Sequence, residues 1–225
     1  MRLVVFDLDG TLIDSRQDLA DAANALIVER GGAPLPVDAV TRMVGEGAAL
    51  LVRRALTAAG LPADVDAALP RFLELYDDRL LANTRLYPGT AEALEALAGR
   101  ATLAVLTNKP QRPTEAILGG LHVDRYFVRV IGGDTPFGRK PDPAGLQHLI
   151  SALHSSTEET VLVGDSAIDL RTARAAGVRI CLVAYGFGFP LAAAEMTDQD
   201  EVIEEPSRLV QVTVRTTRGG TTRTA

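Results

Sequence analysis

Short, mostly apolar runs punctuate this chain. Leu3-Val4-Val5-Phe6 is the first, and others follow at Thr102–Leu106, Phe127–Ile131, Thr160–Val163 and Val178–Val183. Runs of this length without polar alternation fit strands buried on both faces. Between the later four lie Ala/Leu-rich segments at Pro110–Leu118, Pro141–Leu153 and Ala167–Ala176. Each begins near a proline or a small polar residue, which predicts helices. Strands alternating with helices predict an α/β fold, a Rossmann-like parallel sheet with right-handed crossovers.

The first two runs lie too far apart for one crossover. Three helical patterns fill the gap, at Asp18–Arg30, Val37–Ala59 and Asp64–Leu81, separated by Gly31-Gly32 and Gly60-Leu61-Pro62. The expected organisation is an all-helical cap, residues 16–85, inserted after the first strand. A core of residues 1–15 and 86–212 surrounds it in sequence, with a further helix at Ala91–Gly99. Leu209–Val214 alternates apolar and polar residues and predicts a last edge strand. Residues 213–225, rich in Thr, Arg and Gly, read as a polar tail.

Composition narrows the function classes. Of 225 residues, 47% are hydrophobic and 23% charged, and the net charge is −6. An acidic chain lacks the basic face that a nucleic acid calls for. No apolar stretch reaches the ~18 residues of a membrane span, and the first run is too short for a signal peptide. A cytoplasmic protein, monomer or homodimer, is therefore expected. The lone Cys181, set in an apolar strand, reads as an inert thiol and excludes a multi-cysteine metal site. His122, His148 and His154 lie away from the strand ends and read as structural or surface residues.

The strand ends carry the chemistry, because ligands of open α/β sheets bind there. The first run ends in Asp7-Leu8-Asp9-Gly10-Thr11, the second in Thr107-Asn108-Lys109 and the fourth in Gly164-Asp165-Ser166, with Asp169 four residues after Asp165. Lys140-Pro141-Asp142-Pro143 follows the third. Asp7, Asp9 and Asp165 would repel one another at one sheet edge, and a hard divalent ion such as Mg²⁺ relieves this. A lysine with Thr and Asn beside it makes an anion site. Metal, anion site and free carboxylates together point to phosphoryl transfer on a small phosphorylated substrate. Only Lys109 and Lys140 are lysines. Lys109 reads as a residue of the cleft mouth or surface.

The four segments DLDGTL, LTNK, RKPDP and VGDSAID, in this order, resemble the motifs of the haloacid dehalogenase superfamily, phosphatase branch, over residues 1–190. The resemblance implies that Asp7 is the nucleophile, forming an aspartyl-phosphate, and that Asp9 is the general acid and base. It implies that Thr107 and the Asn108 backbone hold phosphate and that Lys140 steadies Asp7. Asp7, Asp165 and the Asp9 carbonyl would ligate Mg²⁺, with Asp169 buttressing the site.

Other reactions of this scaffold are weighed by residue. Dehalogenases lack an acid at the position of Asp9. Phosphonoacetaldehyde hydrolases need a cap lysine, and residues 16–85 contain none. A β-phosphoglucomutase-like mutase, phosphatases for sugar phosphates, nucleotides or pyrophosphate, and a regulatory binding protein stay open as alternatives. The segment from Gly45 to Leu56 is similar to the cap of bacterial phosphoglycolate phosphatases, which implies 2-phosphoglycolate as substrate. Gly45 and Gly47, before a helix, would offer backbone N–H groups to a small carboxylate. Glu46 opposes this unless it points away, and Arg42, Arg53 and Arg54 are candidate sources of positive charge.

Overall fold

The computed structural model describes residues 2–198 and 200–213. In chain order the strands and helices are β1 (Leu3–Phe6), β2 (Ile13–Asp14), α1 (Arg16–Glu29), α2 (Val37–Thr41), α3 (Ala48–Ala58), α4 (Val65–Asp77), β3 (Arg85–Leu86), α5 (Thr90–Ala98) and β4 (Thr102–Leu106). They continue with α6 (Gln111–Gly120), β5 (Phe127–Ile131), α7 (Ala144–Ala152), β6 (Thr160–Gly164), α8 (Ala167–Ala176), β7 (Arg179–Val183), α9 (Phe189–Ala192), β8 (Glu201–Ile203) and α10 (Leu209–Thr213).

The described residues build a six-stranded sheet in the order β5-β4-β1-β6-β7-β8, parallel throughout. Its central strands alternate between two buried clusters, as period-2 side chains must. Val4, Phe6, Val105, Val161 and Val163 face α5 and α6 through Leu94, Leu97, Ile117 and Leu118. Leu3, Val5, Ala104, Leu106 and Leu162 face α7 and α8 through Leu146, Leu149, Leu170 and Ala173. This is the Rossmann-like α/β fold expected from the apolar runs. No helix among the described residues is long and apolar enough to cross a membrane.

Phe6 lies opposite both Val105 of β4 and Val163 of β6. The residues after these strands, Asp7, Thr107 and Asp165, therefore emerge side by side. From β1 the chain runs to β4 and β5 on one side and then crosses from β5 to β6 on the other, which opens a crevice at this point of the sheet.

Helices α1 to α4 share a separate cluster that includes Leu26, Ile27, Leu51, Leu56, Phe72 and Tyr76. The chain enters and leaves them through a small antiparallel pair that the sequence reading missed, with Ile13 opposite Leu86 and Asp14 opposite Arg85. Just beyond, Asp18 accepts from the backbone N–H of Asn83 and Thr84, from Asn83 Nδ2 and from Thr84 Oγ1, at 2.7–3.0 Å. One buried carboxylate thus ties the start of α1 to the returning chain.

Two expectations are corrected. The pattern Val37–Ala59 is two helices, because Gly45 (φ 117°) and Gly47 (φ 92°) occupy a region closed to helix and costly for other residues. Leu209 begins a helix instead of the predicted edge strand, and the edge strand is Glu201–Ile203. A 3₁₀ turn at Pro206–Arg208 feeds directly into α10, and buried Leu209 packs into the core cluster under α5. A five-residue alternation is too short to resist that packing. Of the polar tail, Thr213 closes α10 and residues 214–225 lie outside the described residues.

Candidate active site

Asp7 follows β1 with its N–H on the carbonyl of Val163, 2.8 Å away. The chain then coils tightly, with the N–H groups of Thr11, Leu12 and Ile13 all on the carbonyl of Leu8. Gly10 (φ 87°) is indispensable to this turn, because a Cβ there would lie 2.1 Å from Asp165 Oδ2. Asp165, after β6, is buried and accepts from the Gly188 N–H at 2.7 Å. Asp169 joins it through the first turn of α8. Ser166 caps that helix in a reciprocal box, with its N–H and hydroxyl on Asp169 Oδ2 at 3.1 and 2.5 Å.

Lys140 crosses beneath this group. Its ammonium lies 2.7 Å from Asp7 Oδ1 and 2.6 Å from Asp169 Oδ1, with its side chain 3% exposed. Burial works against the ammonium, but the carboxylates of Asp169 and Asp7 outweigh it and raise the Lys140 pKa above the ordinary lysine value. Asp7 is pushed up to about 6, mainly by burial, against the pull of Lys140. Asp165 is pushed well above the ordinary carboxylate range by burial and by the charges of Asp169 and Asp7.

Asp7, Asp165 and Asp169 each place an oxygen within 4.8 Å of the others. Three carboxyl groups face one ammonium here, so their full ionisation leaves excess negative charge in a buried place. All its donors are oxygen, and Asp169 is already engaged by Lys140 and Ser166. A hard divalent cation between Asp7 and Asp165 fits that donor set and that charge.

On the other side of Asp7, Thr107 is buried after β4, with its N–H on the carbonyl of Ile131 at 3.0 Å. Asn108 turns its side-chain amide away from the carboxylates. Its Nδ2 donates to the carbonyls of Gly45 and Lys140, both at 2.9 Å, and so ties the turn before α3 to the sheet edge.

Asp9 accepts from Ser15 Oγ at 2.5 Å and from Lys109, whose ammonium touches both its oxygens at 2.9 and 3.0 Å. This corrects the reading of Lys109 as a mouth or surface residue: its side chain is 3% exposed. The ring of Tyr76 lies under the ammonium, 4.6 Å from centroid to Nζ, and helps exclude water. That only two lysines occur in the chain was the one available signal.

The cleft so formed is lined by Asp7, Asp9, Thr107, Lys109 and Asp165 from the sheet edge, and by Gly45, Gly47, Leu51, Phe72 and Tyr76 from the helices. Glu46 points to Arg54, at 2.5 Å on the exposed side. Neither Arg42, Arg53 nor Arg54 is among the lining residues, so the helices bring no arginine of the predicted set to the cleft. Sequence reasoning missed Phe72 and Tyr76, whose helical spacing is shared by any core-facing stripe. His122, His148 and His154 are absent from the lining, and Cys181 is buried, with burial pushing its thiol up to about 12.

The profile of the haloacid dehalogenase-like hydrolase family matches residues 4–183. The phosphoglycolate phosphatase of Rhodospirillum rubrum is 46% identical over 194 residues, 83% of this chain and 80% of its own. That of Nitrosospira multiformis is 37% identical over 220 residues, 94% and 96% of the two chains. A crystal structure described as a predicted phosphoglycolate phosphatase from Haemophilus somnus superposes with a TM-score of 0.88 at 30% identity, covering 95% of this chain and 98% of that one.

Proposed function

The chain belongs to the haloacid dehalogenase-like hydrolases, and on that premise we propose that it hydrolyses 2-phosphoglycolate to glycolate and phosphate. It is a phosphoric monoester hydrolase. The observation that carries the reading is the meeting of Asp7 and Asp165, from adjacent strand ends, with Lys140 from the loop before α7, at the base of a cleft roofed by α3 and α4. The names of relatives up to 46% identical support the substrate.

In this reading an Asp7 carboxylate oxygen attacks phosphorus and the ester P–O bond breaks. Asp9 gives its proton to the departing alkoxide oxygen. Asp9 then takes a proton from a water molecule, whose oxygen attacks the aspartyl-phosphate. The P–O bond to Asp7 breaks, which releases phosphate and restores the carboxylate. Lys140, held between Asp7 and Asp169, fixes the orientation of the nucleophile and opposes charge on the transferring group. Thr107 and the Asn108 backbone hold the phosphoryl oxygens, and Asp169 holds Lys140 in place. Asp7, Asp165 and the Asp9 carbonyl would hold Mg²⁺, which when bound supplies further positive charge to those oxygens.

Residues 16–85 act in this reading as a cap and residues 1–15 with 86–212 as the catalytic core. The Gly45–Gly47 turn, anchored by Asn108, closes the cleft over the substrate.

Phosphate release with Mg²⁺ is the test, across 2-phosphoglycolate, hexose phosphates, nucleoside monophosphates and pyrophosphate. The expected lead of 2-phosphoglycolate in kcat/KM is ~100-fold, which is about 2.7 kcal/mol of transition-state discrimination. A flat profile, or a lead by another ester, refutes the substrate and leaves the core chemistry standing. Chelation of the metal is expected to abolish release with every ester.

A further inference from the structure

Two polar groups in the cleft have no part in the steps above. Tyr76 of α4 is 2% exposed, and its hydroxyl has no hydrogen-bond partner among the described residues. Its ring is fixed by stacking on Phe72, with centroids 6.1 Å apart and planes 6° from parallel. The Lys109 ammonium lies over that ring. An ammonium has three protons to give; Lys109 gives hydrogen bonds to the two oxygens of Asp9 and stands close enough to the Tyr76 hydroxyl to interact with it. A buried hydroxyl without a partner is a standing cost that a ligand can relieve. Burial pushes the Tyr76 phenol up to about 12, so it stays a neutral donor near neutral pH.

We propose that the Lys109 ammonium and the Tyr76 hydroxyl together receive the carboxylate of the substrate, one donor for each oxygen, and so set the specificity of the hydrolysis proposed above, on which this inference rests. The position follows from the chemistry. Asp9 must reach the ester oxygen to protonate it. In 2-phosphoglycolate a single methylene joins that oxygen to the carboxylate carbon. The carboxylate therefore has to sit beside Asp9, and Lys109, within 3.0 Å of the Asp9 oxygens, is the cation standing there. Placed between two carboxylates, it offsets a repulsion that would otherwise push the substrate out. Leu19, Leu51 and Phe72 wall this end of the cleft and offer no partner to sugar hydroxyls.

The experiment compares 2-phosphoglycolate with 2-hydroxyethyl phosphate, in which CH₂OH replaces the carboxylate, using wild type, Tyr76→Phe and Lys109→Gln. Wild type is expected to favour 2-phosphoglycolate in kcat/KM, and each substitution to lower that ratio by about 10-fold or more. For Tyr76→Phe, which keeps the stacked ring, the loss is expected in KM. The competitive inhibition constant of glycolate against p-nitrophenyl phosphate is expected to rise by about 10-fold in the same variant. If both esters lose activity together and the ratio holds, Tyr76 and Lys109 are structural and the inference falls, while a wild-type preference keeps the phosphoglycolate reading. If wild type does not discriminate between the two esters, both fall.

Discussion

Asp18 offers the sharpest test of how the helices are held over the sheet edge. Its carboxylate is fully buried and accepts from Thr84 N–H and Thr84 Oγ1, each at 2.7 Å, while Thr84 is itself buried. Asn83 is exposed, so its N–H groups can turn to water. In Asp18→Ala the two Thr84 donors lose their acceptor where water does not reach. A buried donor left unpaired costs about 1–3 kcal/mol, so the pair costs about 2–6 kcal/mol. Taking about 3 kcal/mol, the melting temperature of a chain this size falls by about 6–12 °C. Asp18→Asn is the control. Its remaining oxygen can stay on Thr84, and it should cost about 1 kcal/mol.

Acid gives a second signature for the same residue. Burial pushes the Asp18 carboxyl up, but the donors of Thr84 and Asn83 outweigh it and leave its pKa below the ordinary value. A group lowered in the folded state adds stability above its unfolded pKa, near about 4, and loses it as pH falls through the folded value. The gap between wild type and Asp18→Ala should therefore be constant from about pH 5 to 8 and narrow below about pH 4. Thermal and urea melts at pH 7 and in acid measure both. A gap under about 0.7 kcal/mol at pH 7, or one that widens in acid, refutes the clamp.

Other outcomes follow from the site. Asp7→Asn should end turnover with a native melting curve, and measurable phosphate release by that variant removes Asp7 as nucleophile. Asp9→Asn should slow leaving-group protonation and hydrolysis of the intermediate, so acid-quenched protein should retain bound phosphate; normal turnover excludes Asp9 as acid and base. Gly10→Ala forces a Cβ towards Asp165 Oδ2 at a left-handed position, where Asp165 is pinned by the Gly188 N–H. The Mg²⁺ concentration for half-maximal rate should rise by ~10-fold or more, and an unchanged metal titration shows that the Asp165 carboxylate can shift freely.

The central strands β1, β4, β6 and β7 were legible because they are buried on both faces, which leaves short apolar runs. The site carboxylates were legible for a related reason. A polar residue at the end of such a run is placed at the sheet edge by topology alone, so Asp7, Thr107 and Asp165 could be assembled before any coordinates. Chain order and strand ends are local properties, and they determined the fold class and placed the candidate reacting groups together.

Tertiary structure decided what depends on contacts between distant segments. The pair β2–β3 is two residues long on each side and carries no periodic signal. Lys109 looks like any loop lysine until Tyr76 and Asp9, remote in sequence, close around it. Tyr76 itself reads as one more apolar position of α4, and only the docking of that helix at the cleft brings its ring against the Lys109 ammonium. Asp18 is an ordinary acid of a first helical turn until Thr84 returns beside it. Burial, and with it the value of each charge, is a property of neighbours that a local pattern does not contain.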